Sequence, residues 1–297
     1  MSKEQLAEIL RVSAQNPPPQ NASPAKMRAW ADGITAGMPL ARGVMISRSR
    51  FGPYEGDLIV PEGGDASRLV IYYHGGGFFL FSSETYRVTT THLALISGLA
   101  VFAPDYRLAP ENPAPAAHDD AFGVYQWLVE HGYAAERIAL GGDSAGGNLA
   151  LATAVRARDA GLPPPSALVL FSPWLDFAEE GESYRSVVDE PILPPHIVDG
   201  FKQAYLGDGD PKSPKVTPFY ADFAGLPPTL IHAGSWERLR DDSITLFARM
   251  QLAGVDARLK VFDGMCHGWQ FFAPVLEEGM ASIEQSARFI KSHEVRR

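Results

Sequence analysis

Gly141-Gly142-Asp143-Ser144-Ala145-Gly146-Gly147 is the stretch on which the fold of this chain turns. It carries the spacing G-x-S-x-G as Gly142, Ser144 and Gly146, and its flanks are those the pattern needs. Arg137-Ile138-Ala139-Leu140 before it is short and apolar enough for a buried strand, and Asn148 to Val155 after it is an alanine-rich helix former. A serine on a tight strand-to-helix turn has its hydroxyl pushed out at the carboxyl edge of a sheet. The glycines on either side are there because a side chain would clash in that turn. The bland alternative is an ordinary glycine-serine loop; strand before and helix after favour a nucleophile.

A free serine hydroxyl is a poor nucleophile, so a base must take its proton and donors must stabilise the oxyanion that forms. His74-Gly75-Gly76-Gly77-Phe78 follows the strand-like run Leu69 to Tyr73. Consecutive glycines weaken any regular element, and their use is to bring bare backbone N–H groups against a ligand. The expected donors are the N–H groups of Gly76, Gly77 and Ala145, the last at a helix N-terminus whose dipole favours negative charge.

Of the eight histidines, His267 has the setting of a base. It lies in Asp263-Gly264-Met265-Cys266-His267-Gly268-Trp269, a loop after the strand-like run Ala257 to Phe262, late in the chain as the order serine, acid, histidine requires. His74 belongs to the glycine loop, His118 and His131 flank an expected helix, His232 sits inside a strand, and His92, His196 and His293 lie in contexts without a motif. For the orienting acid three carboxylates compete past the strand ending at Gly234. Asp241 and Asp242 directly precede a helical run, where capping is a sufficient role. Glu237 lies in the loop immediately past the strand and can turn toward His267, so it is the expected acid.

With these residues in hand the chain resembles the bacterial hormone-sensitive-lipase-like esterases of the α/β-hydrolase superfamily, over roughly residues 40 to 292. His74-Gly-Gly-Gly-Phe78 and Gly142-Asp-Ser-Ala-Gly-Gly-Asn-Leu-Ala150 match that family's two signatures. Asp105 to Glu111, Phe171-Ser-Pro-Trp174 and Gly225-Leu-Pro-Pro228 resemble further family segments. In the family's acid motif, D-P-L-x-D, the catalytic acid aligns with Glu237, a departure from the usual Asp; Phe81-Ser82 stands where the family commonly has Gly-Ser. The resemblance implies an α/β-hydrolase fold, with a mostly parallel eight-stranded sheet flanked by helices and covered by a helical cap. It also implies a serine esterase similar to short-chain carboxylesterases and monoterpene ε-lactone hydrolases, without a cofactor, and a homodimer as the candidate assembly.

Composition bounds the remaining possibilities. At 297 residues with 45% hydrophobic content the chain can bury a large core. A formal charge of −9 argues against a nucleic-acid partner. The single cysteine, Cys266, suits a reducing compartment and reads as a small packed residue rather than a thiol nucleophile. Met1 to Glu8 has no apolar h-region and no apolar run reaches a membrane span, so the expected location is cytoplasmic, without membrane insertion. Metal-ligand spacings are absent, and Asp119-Asp120 at a helix start is explained by the helix dipole.

Strand-like runs at 44–49, 57–60, 69–73, 99–103, 137–141, 167–171, 229–233 and 257–262 alternate with helical runs, which argues a mostly parallel sheet with helices on both faces. Two segments break the alternation: residues 1–40, with helical runs at Glu4–Ala14 and Pro24–Gly33, and a proline-rich insertion at about 177–224 with a helix at Pro194–Tyr205. The expected organisation is an N-terminal cap segment, 1–40, and a catalytic domain, 41–297, that carries the insertion as the rest of the cap. Expected pocket walls are Phe78, Phe79 and Phe81 after the glycine loop, Trp30 in the N-terminal segment, and Ile192, Leu193, Ile197 and Phe201 in the insertion; several could equally be core. The leading reading is hydrolysis of small hydrophobic carboxylic esters. A lactonase, an amidase or an N-deacetylase could use the same residues. A catalytically silent receptor is disfavoured because Ser144, Glu237 and His267 are all present.

Overall fold

The computed structural model describes residues 2–20 and 22–293. Eight strands form one sheet: β1 (Val44–Phe51), β2 (Tyr54–Pro61), β3 (Asp65–Tyr73), β4 (Leu99–Pro104), β5 (Ile138–Asp143), β6 (Ala167–Phe171), β7 (Thr229–Gly234) and β8 (Ala257–Phe262). Their order across the sheet is β1-β2-β4-β3-β5-β6-β7-β8. β2 pairs antiparallel with both neighbours, and every pair from β4 to β8 is parallel. Every residue of β4, β5, β6 and β7 is buried, as expected of strands covered on both faces; β4 and β6 read as continuous apolar runs, while β5 ends in Asp143 and β7 carries Thr229 and His232.

The helices divide between the two faces. Side chains of β3 alternate: Leu69, Ile71 and Tyr73 enter one core with α4 (Ala116–Glu130), α5 (Ala145–Asp159) and α8 (Arg240–Leu252). Val70 and Tyr72 enter the other with α3 (Arg87–Ser97) and α9 (Glu277–Ser292). This is the period-two geometry of a strand sandwiched between helix layers.

The hairpin β1–β2 is longer than the sequence indicates. Val44 pairs with Pro61 and Phe51 with Tyr54, so expected runs at 44–49 and 57–60 become eight residues each. β1 is largely solvent-facing, which removes the apolar pattern that marks a strand.

The two irregular segments are helical where expected. α1 (Ser2–Ser13) sets Leu6 into a buried cluster with Phe262, Met265, Cys266, Trp269 and Leu276, beneath the loop carrying His267. α2 (Pro24–Thr35) begins at Ser23, whose hydroxyl accepts the Lys26 N–H at 3.4 Å, with proline at the first helical position. The insertion holds the short α6 (Ser183–Ser186) and α7 (Pro195–Leu206), which buries Val198 and Tyr205. Among the described residues no helix is long and apolar enough to cross a membrane.

Candidate active site

Ser144 sits between β5 and α5 with φ 53° and ψ −120°, a backbone conformation that costs a non-glycine residue about 1–3 kcal/mol. The surrounding chain holds it there. Its N–H donates to Phe171 O at 2.9 Å, and its carbonyl accepts from Asn148 N–H at 3.1 Å and Trp174 N–H at 2.9 Å. A Cβ on Gly142 would fall 2.4 Å from the Gly146 carbonyl carbon, and one on Gly146 2.0 Å from Tyr73 O. Both glycines of G-x-S-x-G are therefore required by close backbone approach.

β3 pairs in parallel with β5, Tyr73 opposite Gly142, so the loop 74–78 starts beside the elbow. Gly75 N–H donates to Asp143 Oδ1 at 3.1 Å, tying that loop to the residue preceding the serine. Gly76 and Gly77 have φ +102° and +62°, and a Cβ on Gly77 would stand 2.2 Å from Phe201 Cδ2 of α7. Ala145 is the first residue of α5, so its N–H is one of the four without an intrahelical acceptor. His74 is structural. It is buried, stacks on Tyr106 at 4.2 Å, and burial lowers its pKa to about 4.

β7 and β8 pair from Thr229–Ala257 to Gly234–Phe262, which brings the loops bearing Glu237 and His267 together. Glu237 is fully buried; its Oε1 accepts the Gly234 N–H at 2.7 Å and its Oε2 lies 3.1 Å from His267 Nδ1. Burial disfavours the imidazolium, but the bond to Glu237 and the charges of Glu237, Glu190 and Asp143 outweigh it, and the His267 pKa is raised. Strand order therefore sets serine, acid and histidine at the carboxyl ends of β5, β7 and β8.

The competing carboxylates are engaged elsewhere. The N-cap of α8 is Leu239, without a side-chain hydrogen bond. Asp241 Oδ2 instead accepts Ser183 N–H at 2.9 Å, and Asp242 Oδ2 accepts the N–H groups of Leu175 and Asp176 at 2.8 and 2.9 Å. In place of the expected capping of α8, Asp242 fastens the loop after β6 and Asp241 the first residue of α6. His232 is a core histidine, its Nδ1 2.8 Å from Ser282 Oγ. His118 lies inside α4 rather than at its end, joined to Tyr205 OH at 2.7 Å and Asn148 Oδ1 at 2.9 Å.

The expected pocket residues fall into different settings. Phe78 is fully buried and stacks on Tyr205 at 4.1 Å. Phe81 packs on Phe271 at 6.1 Å and Phe201 on Phe79 at 5.9 Å. Ile197 and Phe201 are half-buried against the larger core and Ile192 against the cluster beneath the His267 loop; Leu193 is buried. Trp30 is half-buried, with its indole N–H on Asn16 O at 3.1 Å.

Sequence reading passed over three polar residues. Asp143 lies inside the serine motif, and its Oδ2 accepts the Tyr86 hydroxyl at 2.6 Å; burial raises its pKa to about 6. Arg28 donates to Phe79 O at 2.9 Å and Ala109 O at 2.8 Å, fixing α2 to the glycine loop. Glu190 touches the backbone of His267. Only Asp143 had a signal, its place in the motif.

A strained serine on a strand–helix elbow, with a buried acid–histidine pair two and three strands along a parallel sheet, defines a hydrolase architecture. A family model described as alpha/beta hydrolase fold matches residues 70–271. An acetyl-hydrolase of Streptomyces hygroscopicus is 39% identical over 226 residues, 76% of this chain and 76% of that protein. An esterase of Acinetobacter venetianus is 34% identical over 96% of this chain and 94% of that one. The crystal structure of an esterase from the bacterial hormone-sensitive lipase family superposes with a TM-score of 0.94 at 37% identity, covering 98% of this chain and 99% of the other. The chain belongs to the α/β-hydrolase family, among the bacterial hormone-sensitive lipase esterases, and is a carboxylesterase by class.

Proposed function

We propose that this enzyme hydrolyses short-chain carboxylic esters through an acyl-enzyme on Ser144. Ser144 Oγ attacks the ester carbonyl as its proton passes to His267 Nε2. The oxyanion is held by the N–H groups of Gly76, Gly77 and Ala145, and collapses with departure of the alcohol, which takes the proton from Nε2. Water then repeats the sequence on the acyl carbon, releasing the carboxylic acid and restoring the serine. Glu237 fixes the tautomer by accepting a hydrogen bond from Nδ1–H, which leaves Nε2 as the basic nitrogen.

One observation carries this reading. The Glu237–His267 pair is buried and hydrogen-bonded at the same sheet edge that presents Ser144 on a strained elbow. The inserted segment and residues 1–40 act as the cap, with Phe201 packed on Gly77 at the site. The acetyl-hydrolase named among the relatives supports a short acyl group. The deciding experiment is a panel of p-nitrophenyl esters of graded acyl length, with lactones and a matched anilide alongside. Highest kcat/KM on acetyl or butyryl esters, with covalent organophosphate labelling at Ser144, is the expected result. Faster turnover of the anilide, or labelling at another residue, would overturn it.

A further inference from the structure

Two consecutive acids of the inserted segment, Asp189 and Glu190, reach across to the loops of the acid–histidine pair. Asp189 Oδ1 accepts the indole N–H of Trp236, the residue before Glu237, at 3.1 Å. Glu190 Oε1 accepts the backbone N–H of His267 itself at 3.2 Å and that of Ile192 at 3.1 Å, while Oε2 takes the N–H of Leu193. Glu190 is 3% exposed. A buried carboxylate with three backbone donors is held firmly, because unpaired burial of its charge would be costly. Ile192 then packs against the cluster of Met265, Cys266 and Trp269 on which the histidine loop rests.

We infer that Glu190 is a positioning residue for the base: it fixes the His267 backbone and holds a negative charge beside the imidazole, so that the inserted segment helps set the reactivity of the triad. This rests on the Ser144–His267–Glu237 reading. Two carboxylates contact His267, Glu237 at the imidazole from the loop after β7 and Glu190 at the backbone N–H from the inserted segment, and the charge of Asp143 at the end of β5 also acts on the imidazole. All three favour the protonated imidazole, and Glu190 is the one that the segment contributes. A residue that only anchored the segment would affect stability and substrate affinity; one that acts through His267 changes the pH at which the base is available.

The test compares Glu190→Gln and Glu190→Asp in the full-length enzyme, with Glu180→Gln as a control. Glu180 is an acid of the same segment that pairs with Lys212 and Tyr220. For Glu190→Gln the acid limb of kcat/KM on p-nitrophenyl acetate should move down by about one pH unit, the scale of one lost neighbouring charge. Its kcat should fall about tenfold or more with KM little changed, since loss of alignment acts on the chemical step. Glu190→Asp keeps the charge but is one methylene short, so it should lower kcat while leaving the limb near its wild-type position. Glu180→Gln should move neither. An unmoved limb in Glu190→Gln, while Ser144→Ala is inactive, overturns the role of Glu190 and leaves the triad standing. Activity surviving in Ser144→Ala instead overturns the triad itself.

Discussion

Glu237 divides its carboxylate between two partners: one oxygen takes the Gly234 N–H at 2.7 Å, the other faces His267 Nδ1 at 3.1 Å. The acid is thus anchored to the end of β7 while it orients the imidazole from β8. The glutamate stem lets one side chain reach both partners at once.

Glu237→Gln should be severe. A neutral amide has one acceptor for two donors, so either the Gly234 anchor or the imidazole bond is lost, and the charge that stabilises the imidazolium goes with it. A fall in kcat of about 10⁴-fold is expected, the magnitude seen when a triad acid becomes an amide. Asp241→Asn, which touches Ser183 rather than the histidine, should cost about 1 kcal/mol of stability and little activity. Steady-state kinetics and thermal melts of the two variants separate these roles; comparable losses of kcat would reassign the acid.

Ser144→Ala and His267→Ala should each abolish turnover, lowering kcat by about 10⁶-fold, and the double variant should be no worse, because the residues act as a unit. Additive losses measured across this cycle would contradict a shared step.

The His267 pKa is raised from 6.5, with burial opposing and the carboxylate partners prevailing. Since the base works neutral, kcat/KM should fall as pH drops through that raised value, with the acid limb centred above 6.5. A pH–rate profile on a non-ionising ester measures it. An acid limb centred below the ordinary imidazole value would mean that burial dominates the three carboxylates.

The alternation of strands and helices, the elbow and the glycine loop were legible because each is local. Gly142, Ser144 and Gly146 report a turn whose crowding is decided within a few residues, and strands such as 99–103 and 167–171 announce burial by unbroken apolar runs. The loop position of His267 after the last strand was legible in the same way. What the sequence hid is long-range. Glu190 meets His267 across 77 positions, and nothing around Glu190 marks it as more than a loop acid. Asp241 and Asp242 read as helix-capping residues, yet their oxygens go to residues 175, 176 and 183, which only the folded chain brings near.

Asp242 offers a stability prediction of its own. One carboxylate oxygen holds two backbone N–H groups and the Tyr184 hydroxyl, while the other is buried without a partner among the described residues. Burial raises its pKa from 3.8 to about 8. An acid whose folded pKa is the higher one favours folding below its unfolded pKa, and that contribution fades as pH rises through the folded value. Asparagine can keep the three donors on its carbonyl and never ionises. The Tm of Asp242→Asn relative to wild type should therefore be higher at pH 9 than at pH 6. A difference that does not grow with pH would show that Asp242 is ionised throughout.

Phe201→Ala tests the control of acyl length. Each further methylene buried stabilises a bound chain by about 0.8 kcal/mol until the pocket closes, so opening the wall beside Gly77 should move the optimum toward longer acyl groups. If Phe201 is only core, the variant will melt earlier with an unchanged profile across the ester panel.

The hydrogen bond from Gly75 to Asp143 joins the glycine loop and the nucleophile elbow, both of which grow from adjacent parallel strands. The glycine loop and the elbow are thereby joined directly, and Arg28 of α2 and Phe201 of α7 bear on the same loop from the covering helices. His267, by contrast, has its backbone N–H held by Glu190 of the inserted segment. On the proposed role of Glu190, a chimaera that exchanges residues 177–224 with those of a relative should shift the acid limb of its pH–rate profile, while Glu237, Asp143, Ser144 and the glycine loop stay those of the parent.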